Sequence, residues 1–206
     1  MTTMEAIRAH VNALPEGDPF TSSDLLSVGT RASVDQALSR MVRSGAVERI
    51  TRGVFVRPRT NLYVGKVPPA PEKVAQAVAR ASESVIEVHG AEAAREFGLT
   101  TQVPMRPVFL TSGRSRVISV GGVSIEMRHV ADSRLLLAGR PAGRAFSALM
   151  YLGKNEVTSG TIELLKSRLP SKEFEAMASV ASSMPSWLSD AFYRFKTQGQ
   201  ERFVAA

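Results

Sequence analysis

The side chains best placed to do chemistry lie between Thr30 and Arg52. At 100° per residue, Ser33, Gln36, Arg40 and Arg43 fall on one side of a helix. Val34, Leu38, Met41 and Val42 fall on the other. An arginine carries two parallel donors that fit O6 and N7 of guanine, and a glutamine can pair in the same bidentate way with N6 and N7 of adenine. Thr30, Arg31 and Ser33 stand at the start of this helix, where hydroxyls and free backbone N–H groups suit phosphate oxygens. From Ser33 to Arg43 the helix runs about 15 Å at ~1.5 Å per residue, enough to follow several base pairs. Arg52 precedes Gly53 between two β-prone runs, where a long cationic side chain reaches phosphates or a narrow minor groove. Residues 40–59 hold Arg40, Arg43, Arg49, Arg52, Arg57 and Arg59 against a single acid, Glu48. The candidate contacts to duplex DNA are therefore Thr30, Arg31, Ser33, Gln36, Arg40, Arg43 and Arg52. The competing reading is a solvated arginine face on a structural helix.

Positioning these groups takes a small domain. Thr3 can cap a first helix whose apolar positions are Met4, Ile7, Val11 and Leu14. Thr21 can cap a short second helix through Leu25 and Leu26, with a turn at Gly29. The third helix begins at Thr30 and stops at Ser44-Gly45. Runs 47–51 and 54–57 then form a hairpin. The order predicts a winged helix-turn-helix over 1–60. Residues 61–71 are proline-rich and read as a linker. Residues 72–206 read as a mixed α/β domain with a helical C-terminus, so the fold class is α+β. In that region 72–81 and 91–97 are helical, and 85–88, 107–111, 116–120 and 123–129 are β-prone. Gly121-Gly122 makes a tight hairpin turn. Helices are predicted at 143–152, 159–168, 172–183 and 186–196. Trp187, Leu188, Ala191, Phe192 and Phe195 form an apolar stripe suited to core packing. A second basic set, Arg106, Arg114, Arg116 and Arg128, suits a wider DNA footprint, an acidic protein partner or an RNA, or else a scattered solvated surface.

The chain has 206 residues, 44% of them apolar, and a net charge of +7. A basic balance favours polyanionic partners through counterion release. There is no cysteine, which excludes disulfides, thiolate catalysis and cysteine–zinc sites. His10, His89 and His129 lack a second ligand at helical spacing, so no metal site and no cofactor are expected. No nucleophile elbow, phosphate-binding loop or dinucleotide fingerprint occurs. Glu87 and Glu126 with Arg128 are a faint echo of nuclease acids, but arginine does not readily give up a proton. No catalytic residue is assigned. No run of about 18 apolar residues occurs, so the expectation is a cytoplasmic protein with no membrane partner.

Two blocks carry a family resemblance. They are RASVDQALSRMVRSGAVERITRGVFVRP at 31–58 and GAEAAREFGLTTQVPMRPVFLTSGRSRVISVGGVSIEMRHV at 90–130. Together they resemble the AbiEi-type antitoxins of abortive-infection toxin–antitoxin systems. The resemblance covers roughly 20–130 and implies an autorepressor that binds inverted repeats in its own promoter. It also implies a second partner, a nucleotidyltransferase-like cognate toxin. Two alternatives stay open on the residues: a toxin-neutralising interaction protein whose winged helix is only a scaffold, and a nucleic-acid enzyme.

Overall fold

The computed structural model describes the backbone of residues 2–204 and the side chains of 2–198. It is an α+β protein that divides into two compact units, one formed by 1–84 with 106–128, the other by 85–105 with 129–206. Among the described residues no helix is long and apolar enough to cross a membrane.

The first unit opens with α1 (Thr3–Ala13). Its cap is Thr2, one residue earlier than the sequence suggests. Glu5 explains the choice, because it stands three residues on and closes a reciprocal box: Glu5 N–H donates to Thr2 Oγ1 and Thr2 N–H to Glu5 Oε2. β1 (Pro19–Thr21) follows, then α2 (Arg31–Arg43), β2 (Glu48–Thr51) and β3 (Val54–Val56). The strands pair antiparallel in the order β1-β3-β2. The order is compatible with the winged helix-turn-helix that the sequence predicts.

The expected second helix is only a 3-10 turn, Ser23–Leu25. Thr21 does close a reciprocal box, Thr21 N–H donating to Asp24 Oδ2 and Asp24 N–H to Thr21 Oγ1, but the chain beyond it tightens to bonds three residues apart, Leu25 N–H to Ser22 O, Leu26 N–H to Ser23 O and Val28 N–H to Leu25 O. At Gly29 a side chain would come within 2.8 Å of Thr3 and Ser33, so the bare backbone lets this turn pass close to α1. α2 ends at Arg43, with Ser44 as its C-cap and Gly45 at φ 75°. Gly45 N–H bonds Val42 O and Ala46 N–H bonds Met41 O, the paired closure that a left-handed residue allows. The core beneath joins Ile7 and Val11 of α1, Val34, Ala37, Leu38 and Met41 of α2, and Phe20 and Phe55 of the sheet. The two phenylalanine rings stack at 5.9 Å.

The segment read as a linker holds a hairpin, β4 (Arg59–Asn61) with β5 (Gly65–Val67). Nor does the domain boundary fall at 61–71. α3 (Pro71–Ala81) buries Val74, Ala75, Ala77 and Val78, and its Arg80 and Lys73 bond Pro19 O and Asp18 beside β1. The same unit takes in β7 (Val108–Thr111), β8 (Arg116–Val120) and most of β9 (Val123–His129), in the order β7-β9-β8. Val120 pairs with Val123 across the Gly121-Gly122 turn, as the sequence predicts.

The second unit holds β6 (Ile86–Val88), α4 (Gly90–Glu96), α5 (Pro141–Leu152), α6 (Ser159–Arg168), α7 (Ser171–Ser179) and α8 (Ser186–Val204). α7 stops short of the expected 183; a 3-10 turn, Ala181–Ser183, takes over. Phe146 and Leu149 of α5 pack with Ile162, Leu165, Met177, Leu188 and Phe192, so the α8 stripe faces a core. Glu173 of α7 accepts from Arg140 at 2.9 and 3.3 Å and from Ala142 N–H at 3.2 Å, tying α7 to the start of α5.

Leu38 is fully buried, so Leu38→Ala should cost about 2–5 kcal/mol in urea or thermal unfolding. The exposed neighbour Gln36→Ala should change stability by less than ~0.5 kcal/mol. Equal midpoints for the two variants would place Leu38 outside the core. The second unit has a pH signature. The hydrogen bond from Arg140 holds the Glu173 carboxyl below its ordinary range. A carboxyl with a lowered folded pKa stabilises above its unfolded value of about 4.3, and that support is lost as pH falls through the folded value. Wild type should therefore melt above Glu173→Gln at pH 7, and the gap should close in acid below about pH 4. A gap that persists undiminished at pH 2 would disprove the ionic tie.

Candidate nucleic-acid interface

α2 shows a divided surface. Val34, Ala37, Leu38 and Met41 are sealed in the core, while Arg31, Gln36, Arg40 and Arg43 are exposed. At 100° per residue, Gln36 and Arg43 stand nearest the direction opposite the buried stripe, and Arg40 flanks them on one side. Arg31 and Asp35 lie on the other flank. They form an exposed ion pair at 3.3 Å. Arg43 donates to Ser39 Oγ at 3.4 Å.

The first turn is more occupied than the sequence suggests. Thr30 caps α2, with its hydroxyl accepting from Ser33 N–H at 3.4 Å. Ser33 Oγ turns back to donate to Thr30 O at 2.8 Å. Both hydroxyls and the Ser33 N–H thus serve the cap.

β2 and β3 close at Arg52-Gly53, with Gly53 at φ 78° and Arg52 exposed. β2 is irregular. Thr51 pairs with Val54 and Arg49 with Phe55, so Ile50 is an extra residue and the strand bulges. The Arg49 guanidinium lies over the Phe55 ring, 5.2 Å from its centre. Stacking on the ring steadies the cation without neutralising it.

Between the wing and the first half of α2 runs a groove of about 570 Å³. Arg31, Arg49 and Arg52 line it, with Asp35 the single carboxylate and Phe55 forming some of its wall. Of the sequence-predicted site residues, the groove gathers Arg31 and Arg52. Gln36, Arg40 and Arg43 lie along the helix outside its lining, as do Thr30 and Ser33. Arg49 is the member that sequence reasoning missed. Its signal is the wing hairpin itself, but the bulge at Ile50 breaks the alternation that would have assigned its side.

Other sequence candidates have structural duties. Arg57 donates to the carbonyls of Asn12 and Leu14 and meets Glu16 at 3.4 Å, which fastens the end of α1 to β3. It is therefore a structural arginine, although it belongs to the basic run of 40–59. In the second basic set, Arg116 shares a strand face with the buried Ile118 and pairs across with Met127, whereas Arg128 is on the opposite face bonded to Glu126 at 2.9 Å. The set thus forms no single patch on the sheet. His89 caps α4, its Nδ1 accepting from Ala91 N–H. Glu87 is buried, accepting from Val88 and Gly139 N–H groups. Among the described residues no group of three or more histidine or acidic residues could hold a metal ion.

No curated protein matches the chain. Residues 6–177, from α1 through most of α7, match the model of a family of unknown function, DUF6088, and the chain belongs to that family.

Proposed function

We propose that this chain binds duplex DNA in a sequence-specific way and acts as a transcriptional repressor of its own promoter. The observation that carries the reading is the groove of three arginines, Arg31, Arg49 and Arg52, against one acid beside the exposed face of α2. Such a concavity suits the phosphate backbone, and the neighbouring Gln36 and Arg43 offer donors of the kind that read major-groove base edges. Phosphate contacts set register; base contacts set sequence. The chain performs no catalytic step in this reading and works in the cytoplasm. The resemblance to AbiEi-type antitoxins adds a second role, as antitoxin to a nucleotidyltransferase-like protein encoded beside it. Its operator would be inverted repeats.

The two kinds of contact separate in a binding titration over a range of salt, on a promoter duplex and on a random duplex. Arg49→Ala and Arg52→Ala should weaken both DNAs by similar factors. Each should lower the slope of log affinity against log salt by about 0.9. Gln36→Ala and Arg43→Ala should instead weaken the promoter duplex alone, by about 1–3 kcal/mol for each base-edge pairing removed. Wild-type affinity in all four variants would remove α2 and the wing from the reading. A wild-type chain that binds neither duplex, yet protects cells from the neighbouring toxin, would make the winged helix a scaffold.

A further inference from the structure

Three consecutive apolar side chains stand in water at the tip of the β4–β5 hairpin. Leu62 is 99% exposed, Tyr63 94% and Val64 72%. Single exposed apolar residues are ordinary, but a contiguous run on a projecting tip marks a contact surface. The tip is held in shape by its own bonds. Tyr63 N–H donates to Asn61 Oδ1 at 2.8 Å, and Asn61 pairs with Gly65 across the turn. From Pro58 to Val67 the only charges are Arg59 and Lys66, both exposed cations. Lys66 bonds Glu48, the first residue of β2, which lies five residues beyond the end of α2 at Arg43. The hairpin therefore leaves the unit near the C-terminal end of α2, while the arginine groove takes in Arg31 at its N-terminal end.

We propose that the β4–β5 hairpin is a wedge for duplex DNA. Leu62 and Tyr63 enter the minor groove and pry open a single base step, while Arg59 and Lys66 take the flanking phosphates. The inference rests on the DNA-binding reading above and adds deformation of the duplex to it. Unstacking a step costs free energy. It is offset by apolar surface leaving water and by the extra phosphate contacts that a bent duplex allows. The Tyr63 ring can stack on an uncovered base face, and the Lys66–Glu48 pair is exposed enough for phosphate to take its place. Charge gives a second copy little to pair with. In each hairpin Lys66 already holds Glu48, and Arg59 would meet another Arg59 with no acid in either segment.

The test uses the full chain and a promoter duplex carrying end labels for energy transfer and 2-aminopurine at successive steps. Wild type should bend the duplex by about 20–90° and raise 2-aminopurine emission at one step. The double variant Leu62→Ser/Tyr63→Ser should melt like wild type, since neither side chain is in the core, and should lose both signals while still binding. Tyr63→Phe should retain them. A double variant that bends and unstacks like wild type overturns the wedge. So does one that keeps both signals but loses self-association in sedimentation, which would assign the tip to a second copy. Wild type binding without bending overturns the wedge alone. Wild type binding no duplex overturns the DNA-binding reading, and the wedge falls with it.

Discussion

The surface of the first unit depends on how α2 is locked in rotation. Val34, Leu38 and Met41 are inserted between Ile7 and Val11 of α1 and Phe55 of the sheet. Rolling the helix by one residue, about 100°, would carry Arg40 and Ser33 toward that core and lift Met41 or Leu38 out of it. The apolar loss alone would be about 2–3 kcal/mol per side chain, and an unpartnered buried guanidinium costs several more. Two penalties of the same sign hold one rotation. That rotation leaves Gln36 and Arg43 facing water, and it sets Arg31 and Asp35 beside the wing. The arrangement of cations on this unit is thus a consequence of packing beneath it.

That much is legible in the chain, because the signals are local. The 3.6-residue stripe of α2, the Ser44-Gly45 stop and the paired glycines at 121–122 each act within a few residues. The three misread regions fail for different reasons. At Thr21–Leu26 the residue types suit a helix start, and Thr21 does engage Asp24 as a cap would, but the turns beyond it close at three residues rather than four, a tightening that residue type does not announce. At 61–71 the proline content suggests a linker, and the hairpin there has no apolar alternation to announce it, because both its strands are largely exposed. The division into units is misplaced because 106–128 rejoins the N-terminal unit across an intervening segment, and α3 returns to pack on β1. Discontinuous units are set by long-range pairing, which periodicity does not encode.

The candidate site divides in the same way. Gln36, Arg40 and Arg43 follow from helix phase alone and are exposed as the phase requires. The convergence of Arg31, Arg49 and Arg52 on one groove does not follow from phase. It needs the wing folded back toward the start of α2 and an extra residue, Ile50, in β2. Arg49 also needs the Phe55 ring beneath it. A cation resting on a ring face keeps its charge for an outside partner, so this contact positions the group without consuming it.

Arg31 and Arg57 differ in a way that only the fold reveals. In sequence Arg57 stands among Arg52 and Arg59, whereas Arg31 is alone with Asp35 four residues on, and charge clustering would favour the wrong one as the free cation. Arg57 is bound by two carbonyls and the Glu16 carboxylate, and only 22% of its side chain is exposed. Moving it to a phosphate would strand the last carbonyls of α1, so it belongs to the scaffold. Arg31 has one partner, Asp35, one helical turn away, and both side chains are more than half exposed, at 60% and 57%. An exposed pair at this spacing contributes about 0.3–0.5 kcal/mol. A phosphate oxygen that turned Arg31 from Asp35 would give up that small term and meet repulsion from the carboxylate left beside it. Arg31 is thus held by far less than Arg57, and on the proposed reading it is the one of the two that can turn to a phosphate.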